Sequence, residues 1–339
     1  MRIVCKAPCR VDLAGGTLDI WPLYLYHQGA VTVNFAIDRY TRCTVETHKG
    51  PEIHLRSRDL DVSETYPSLG ALTSGTRHKH PLAALAVRYF APQTGLSMET
   101  HSEAPAGAGI SGSSALMIAV SAALNRLTKA GHKLEKIREI AQNVEAQMIR
   151  VPTGVQDYYA AMYGGVSAIE LGPAGIRRTG IPVDPDELNR RFVLAYTGAP
   201  RNSGINNWEV TKAYIDGNKQ VQRNFEQIAS IAIAMRSALT GGDWAEAGRL
   251  LREEWAHRRK NSPSITTPLI DELIQRTRRA GAVGAKVCGA GGGGCVLFLV
   301  EPEAKARVSE LVVKTGGTVL PVKVAGRGLT TRIHKKHSP

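Results

Sequence analysis

Residues 105–115 read PAGAGISGSSA and run straight into the apolar LMIAVSAAL. Glycine is entropically costly to order, so three of them in eleven residues mark a backbone that turns tightly or lets something approach closely. Three serines at the start of a helix place hydroxyls beside backbone N–H groups that have no intrahelical partner. Those donors and the helix dipole favour an anion. The stretch therefore reads as a phosphate cradle built from Pro105, Gly107, Gly109, Ser111, Gly112, Ser113 and Ser114, and a serine hydroxyl at such a site can also ligate Mg2+.

Two other phosphate-binding patterns fit less well. GAGISG (107–112) matches G-x-G-x-x-G, but a dinucleotide fold needs a second strand with an acidic end about 20 residues on. Here the helix continues into LTKAGHKLEKIREI, a second helix. A P-loop requires Gly-Lys-Ser/Thr after its glycines, and that triplet is missing here.

The 339 residues suit two domains, and 43% hydrophobic content can fill their cores. No run approaches the length of a membrane span; CVLFLV is strand-sized. Lys6 interrupts the opening MRIVCKAP, which lacks a signal-peptide core. Five scattered cysteines without close metal-ligand spacing suit reduced thiols, with no disulfide and no zinc. A cytoplasmic enzyme is the expectation. The formal charge of +13 invites nucleic acid as a partner. The basic residues are dispersed, however, apart from RHKH (77–80), HRRK (257–260) and the tail HKKHSP, and no recognition motif accompanies them. A basic solvated surface, or affinity for anionic small molecules, accounts for the excess, so neither nucleic acid nor membrane is expected as a partner.

The elements that must position the cradle follow from periodicity. RIVCKA, AVTVNFAI, TRCTVETH and EIHLRS read as separate strands. PLAALAVRYF predicts a helix over about 81–91, and LSMETHSE a strand leading into the loop. Leu116, Ala119, Val120, Ala123, Leu124 and Leu127 recur at helical spacing and predict a helix with one buried face. The next helix carries Leu134, Ile137, Ile140, Val144 and Met148, and ends at VPTGVQD. ELGPAGIRRTGIPVDPDE is rich in Gly, Pro and charge and predicts the boundary between domains at 1–180 and 181–339. RFVLAYTG opens the second half as a strand; helices follow, and strands return around the glycines of KVCGAGGGGCVLFLV. The fold class is α+β.

Three stretches, KAPCRVDLAGGTLD, PAGAGISGSSA and KVCGAGGGGCVLFLV, together resemble the GHMP-type small-molecule kinases, in the order that family shows and over nearly the whole chain. LAGGTLD and VPTGVQDYYAAMYGG resemble most the sugar-1-kinase branch, above all its D-glycero-D-manno-heptose 7-phosphate kinases. Thr17-Leu18 stands where Gly-Thr is usual there, and GISGSSA where GLGSSSA is usual. The resemblance implies a ribosomal protein S5 domain 2-like N-terminal domain and a ferredoxin-like C-terminal domain. It implies ATP and Mg2+ as cofactors and phosphorylation of a sugar or sugar phosphate at its anomeric hydroxyl.

Phosphoryl transfer leaves charge placement and orientation to the protein. The resemblance makes Asp157 the carboxylate that orients or deprotonates the acceptor hydroxyl; an N-cap for the following helix is the competing reading. It sets Arg10 beside that aspartate, where an arginine helps neutralise the transferred group, against the alternative of a surface strand arginine. Glu145, at the edge of a buried helix face, needs a partner: the resemblance supplies Mg2+ shared with Ser113, and a salt bridge to Arg138 or Arg150 competes. Asp19, with Gly15, Gly16 and Thr17, resembles the family's sugar-contacting turn, though Asp19 would also serve as a cap. Arg201, in TGAPRNSGINNW, resembles a substrate-side loop. The glycines around Gly291 and Gly292 imply close approach to the active site. Within the family, a galactokinase or fucokinase is the nearest alternative. Outside it stand a non-catalytic sugar sensor, which has no need of the whole residue set, and an oxidoreductase.

Overall fold

The long strand β1 (Arg2–Ala14) alternates exposed and buried residues only at its start; from Ala7 to Ala14 every residue is buried. This half touches helices of both halves of the chain, so it lies inside the molecule rather than on one face of a sheet. That position is what allows Arg10 and Asp12, two apart and so on one face of the strand, to be enclosed.

The computed structural model describes residues 1–199 and 203–334. β1 pairs along its length with β2 (Val31–Thr47), antiparallel, with bulges after Pro8 and Asp12. β2 corrects the expectation of two strands, AVTVNFAI and TRCTVETH. The chain does not turn between them, because the bulged β1 pairs with both halves while different strands flank each on the other edge. β3 (Ile53–Ser57) and β4 (Val62–Tyr66) form a hairpin. α1 (Leu69–Ser74) and α2 (Pro81–Phe90) then cross over to β5 (Leu96–Ser102), which lies parallel to β3 and antiparallel to β2.

α3 (Gly112–Thr128) follows the glycine loop and is buried all round from Ser114 to Leu124, not on one face only. It is enclosed by β1, β2, α2, α4 (Leu134–Ile149) and α5 (Gln156–Tyr163), which leaves no side for solvent. The segment whose composition marks the domain boundary forms the hairpin β6 (Val166–Gly172) and β7 (Gly175–Ile181), pairing with the first half of β2. Its Gly and Pro mark the hairpin turn, and the crossing into the second half follows at 182–184.

The second half comprises α6 (Pro185–Arg191), β8 (Phe192–Tyr196), α7 (Ser203–Ile215), α8 (Lys219–Gly241), α9 (Trp244–Arg258), α10 (Pro268–Arg279), β9 (Ala282–Val287), β10 (Cys295–Val300), α11 (Lys305–Lys314) and β11 (Thr318–Val319). Its four-stranded sheet has the order β11-β8-β10-β9, fully antiparallel. Taken in chain order this is 4-1-3-2, the ferredoxin-like arrangement the resemblance implied. The half does not stay whole to its end: β12 (Thr330–His334) returns to pair with β1 in the first sheet.

Candidate active site

The glycine loop is held by its carbonyls. Ala108 O accepts from Cys295 N at 2.7 Å, Gly109 O from Arg10 Nη1 at 2.7 Å, and Ile110 O from Arg10 N at 3.0 Å. Three successive carbonyls are thus taken by protein donors, while the first N–H groups of α3 are left for a ligand. Ser111 enters the helix in a left-handed conformation (φ 69°), uncommon for a residue with a side chain. Its Oγ is buried and has no hydrogen-bond partner among the described residues. A buried hydroxyl without a partner is costly unless something polar meets it; a phosphate oxygen suits. The cavity in front of the loop holds about 390 Å3, and its walls include Arg10, Asp157, Glu145, Lys79 and His80.

Arg10 joins this loop to α5. Its Nε and Nη2 both bond Asp157 Oδ1, at 2.8 and 2.6 Å, and its side chain is 4% exposed against 24% for Asp157. Burial disfavours the charged guanidinium, but Asp157 and Asp12 outweigh it and keep Arg10 protonated. Arg10 is therefore no surface residue. Asp157 is no cap either: Val155 is the N-cap of α5, without a side-chain bond, and Asp157 lies in the first turn facing Arg10.

Asp19 meets the same helix end. It is 1% exposed, and its Oδ2 accepts the first α5 amide, Gln156 N, at 2.9 Å. It thus caps α5 from 137 residues away, not the segment beside it. Burial, with the nearby Asp157 charge, pushes its carboxyl up to about 7. Gly154 lies so close that an added Cβ would overlap the Asp19 carboxylate. Gly16 has the Asp12 carboxylate where its Cβ would be, and Thr17 Oγ1 bonds Asn207 Oδ1 at 3.2 Å. Gly15, Gly16, Thr17 and Asp19 thus form a tight turn beside the start of α5, behind the cavity wall rather than in it.

Glu145 is 5% exposed and its partners are hydroxyls: Tyr158 donates to Oε2 at 2.6 Å, and Ser113 and Ser114 bond it as well. Burial raises its pKa, and those three hydrogen bonds offset only part of the rise. Neither expected salt bridge forms; Arg138 bonds Gln142 at 2.7 Å and Glu135 at 3.3 Å instead. A buried carboxylate with oxygen-bearing neighbours and, among the described residues, no ion-pair partner fits a hard cation such as Mg2+, which prefers few protein oxygens and keeps its waters.

Gly291 and Gly292 do not reach the cavity. Their missing side chains make room for the backbone of Ile265 and Ser264, while Gly289 and Ala290 supply the cavity wall. Gly294 lies against the backbone of Gly107 and Ala108. This glycine motif therefore acts by backbone approach, as expected, but its contacts are with the phosphate loop and the 263–265 segment. Arg201 lies outside the described residues.

Sequence reasoning missed a buried ion cluster under the turn. Lys286 Nζ bonds Asp12 Oδ2 at 2.7 Å and Glu254 Oε1 at 3.1 Å, and all three side chains are 0% exposed. Arg258, also buried, pairs with Glu254 and bonds Gly16 O at 2.8 Å and Thr17 Oγ1 at 3.2 Å. HRRK (257–260) had suggested solvated charge. His80 of RHKH is likewise enclosed, with Nε2 2.8 Å from Thr100 Oγ1. Local sequence does not mark the burial of these residues, because the contacts that enclose them come from distant segments: Lys286 meets Asp12 from 274 residues away and Arg258 meets Gly16 from 242.

Comparison with known proteins agrees with this arrangement. Residues 79–165 match the GHMP kinases N terminal domain and 235–314 the GHMP kinases C terminal domain. A D-glycero-alpha-D-manno-heptose 7-phosphate kinase of Campylobacter jejuni is 26% identical over 93% of this chain and 94% of its own. A galactokinase of Mycobacterium bovis is 27% identical over 94% of each. The crystal structure of a D-glycero-D-manno-heptose 1-phosphate kinase from Bacteroides thetaiotaomicron shares the fold, with a TM-score of 0.79 at 24% identity over 98% of this chain and 100% of that one. With both family domains matched in order on a two-domain fold that relatives share end to end, the chain belongs to the GHMP kinases, ATP-dependent phosphotransferases, and is a kinase of a sugar or sugar phosphate.

Proposed function

We propose that the protein transfers the γ-phosphate of ATP to the anomeric hydroxyl of a sugar phosphate, D-glycero-D-manno-heptose 7-phosphate, giving the 1,7-bisphosphate. The observation that carries the chemistry is Arg10, which grips the phosphate loop at Gly109 and Asp157 with one guanidinium. It spaces the acceptor-activating carboxylate from the nucleotide phosphates through one rigid group. The choice of sugar rests on the heptose 7-phosphate kinase relative and on the LAGGTLD and GVQD stretches.

In this reading the α3 N-terminus and the Ser111 hydroxyl bind the ATP phosphates. Asp157 Oδ1 is occupied by Arg10, so its other oxygen accepts the proton of the sugar hydroxyl. An anomeric hydroxyl is more acidic than an ordinary alcohol, so one positioned carboxylate suffices. Arg10, kept protonated, offsets charge on the transferred group. Asp19, behind the cavity wall, holds the start of α5 through Gln156 N and so positions Asp157 rather than touching the sugar. Ser113 and Glu145 would hold Mg2+, which neutralises charge on the phosphate oxygens.

The test is a panel of free and 7-phosphorylated heptoses, galactose, fucose and mannose, assayed for ADP release with the product mapped by phosphorus NMR. The heptose 7-phosphate should be turned over best, and raised salt should narrow its lead over the free heptose. Equal turnover of both heptoses at low salt, or preference for galactose or fucose, would make it a neutral-sugar kinase.

A further inference from the structure

The first turn of α5 places three consecutive residues in three different parts of the site. Gln156 N binds Asp19, Asp157 binds Arg10, and Tyr158 binds Glu145. Gln156 reaches its partner through the free backbone N–H of the helix start, and the side chains of Asp157 and Tyr158 point about 100° apart, so one short turn addresses three partners at once. The first fixes the start of α5, and the second belongs to the proposed proton transfer. Nothing in the reading above uses the third.

We propose that Tyr158 is the positioning residue for the Glu145 carboxylate, fixing Oε2 by its hydroxyl so that Oε1 is the oxygen presented to the metal. The inference rests on Glu145 being a metal ligand. Tyr158 is fully buried in the α5 face that meets α3 and β1, and its hydroxyl lies 2.6 Å from Glu145 Oε2. A phenol has one proton. With that proton on Glu145, the second neighbour, Thr153 Oγ1 at 3.3 Å, must donate to the tyrosine oxygen. The backbone carbonyl of Thr153 is in turn held by Gln142 Nε2 at 3.1 Å, on the same helix as Glu145. The hydroxyl is therefore oriented from behind as well as in front. An ionised carboxylate offers about four acceptor positions. Without the tyrosine, Glu145 would be free to rotate both oxygens among the Ser113 and Ser114 hydroxyls.

This arrangement also joins metal and base mechanically. Tyr158 and Asp157 are neighbours on one helical turn, so a shift of α5 that moves the proton acceptor moves the metal carboxylate with it.

The test is Tyr158→Phe, which keeps the buried ring and removes only the hydroxyl. Mn2+ binding is measured by electron paramagnetic resonance with the non-hydrolysable analogue AMPPNP bound, so that the readout is independent of turnover. Glu145→Gln serves as the control, and circular dichroism melts confirm that both variants fold. Groups that orient a metal ligand typically contribute ten- to hundredfold in metal affinity. Tyr158→Phe should therefore weaken Mn2+ binding by about tenfold, with turnover restored at high Mg2+ and the sugar KM unmoved. Mn2+ affinity within about twofold of wild type, in a protein whose Glu145→Gln variant has lost it, overturns the role of Tyr158 alone. Unchanged affinity in both variants removes Glu145 from the metal site, and the inference with it.

Discussion

Lys286→Met should be among the most damaging single substitutions in the protein. The ammonium group bonds two carboxylates, Asp12 and Glu254, and all three side chains are 0% exposed. The four-residue cluster with Arg258 is neutral; without Lys286 it carries one uncompensated negative charge. There is no reserve to absorb it. Asp12 Oδ1 and Glu254 Oε2 already lack partners among the described residues, and Arg258 is committed to Glu254, Gly16 and Thr17. Removing one partner of a buried pair costs about 3–5 kcal/mol. At roughly 2–4 °C per kcal/mol for chains of this scale, the melting temperature should fall by on the order of 10 °C. The double variant Asp12→Asn/Lys286→Met leaves only the neutral Glu254–Arg258 pair and should recover much of the loss. The pH dependence has a definite sign. In the wild type, burial pushes Asp12 up, but Lys286, Arg258 and Arg10 outweigh it and hold the carboxyl below its ordinary value. It then contributes stability that is present above the unfolded value of about 3.9 and lost as pH falls. In the variant burial dominates, the sign reverses, and the deficit should shrink towards acid pH. Thermal melts of the three proteins at several pH values test this. A single variant that melts within 2 °C or so of wild type, or a double variant no better than the single, would refute the charge argument.

Asp157→Asn keeps the size of the side chain but removes the carboxylate proposed as the base. Turnover should fall by on the order of a hundredfold or more with little change in substrate affinity, and steady-state kinetics showing near-normal kcat would remove Asp157 from the proton transfer. Asp19, pushed up to about 7 by burial and the Asp157 charge, contributes stability in full below about pH 4 that is lost as pH rises through 7. Denaturation midpoints of wild type should therefore decline across that window relative to those of Asp19→Asn, and parallel curves would show that the carboxyl is not raised.

The phosphate loop was legible in the sequence because its chemistry is local. Glycines, serines and the start of an apolar helix are contiguous, and the donors they expose belong to the same few residues. The helices carrying Glu145 and following Ser113 were legible for the same reason, since a 3.6-residue period needs no distant partner. Asp157 and Arg10 could be singled out through family resemblance, but their contact spans 147 residues and only the fold brings it about. Tertiary structure alone also decided that 31–47 is one strand, because β1 pairs across the expected break. It decided that Gly291 and Gly292 serve backbone packing, because Ile265 and Ser264 arrive there from another segment. Most of all it decided the fate of charge. Lys286 in AVGAKV and Arg258 in HRRK look like ordinary solvated residues, and a local pattern assigns them to water. Lys286 is buried where the fold brings Asp12 from β1 and Glu254 from α9 against it, and Arg258 where its own helix neighbour Glu254 neutralises it under the 15–19 turn.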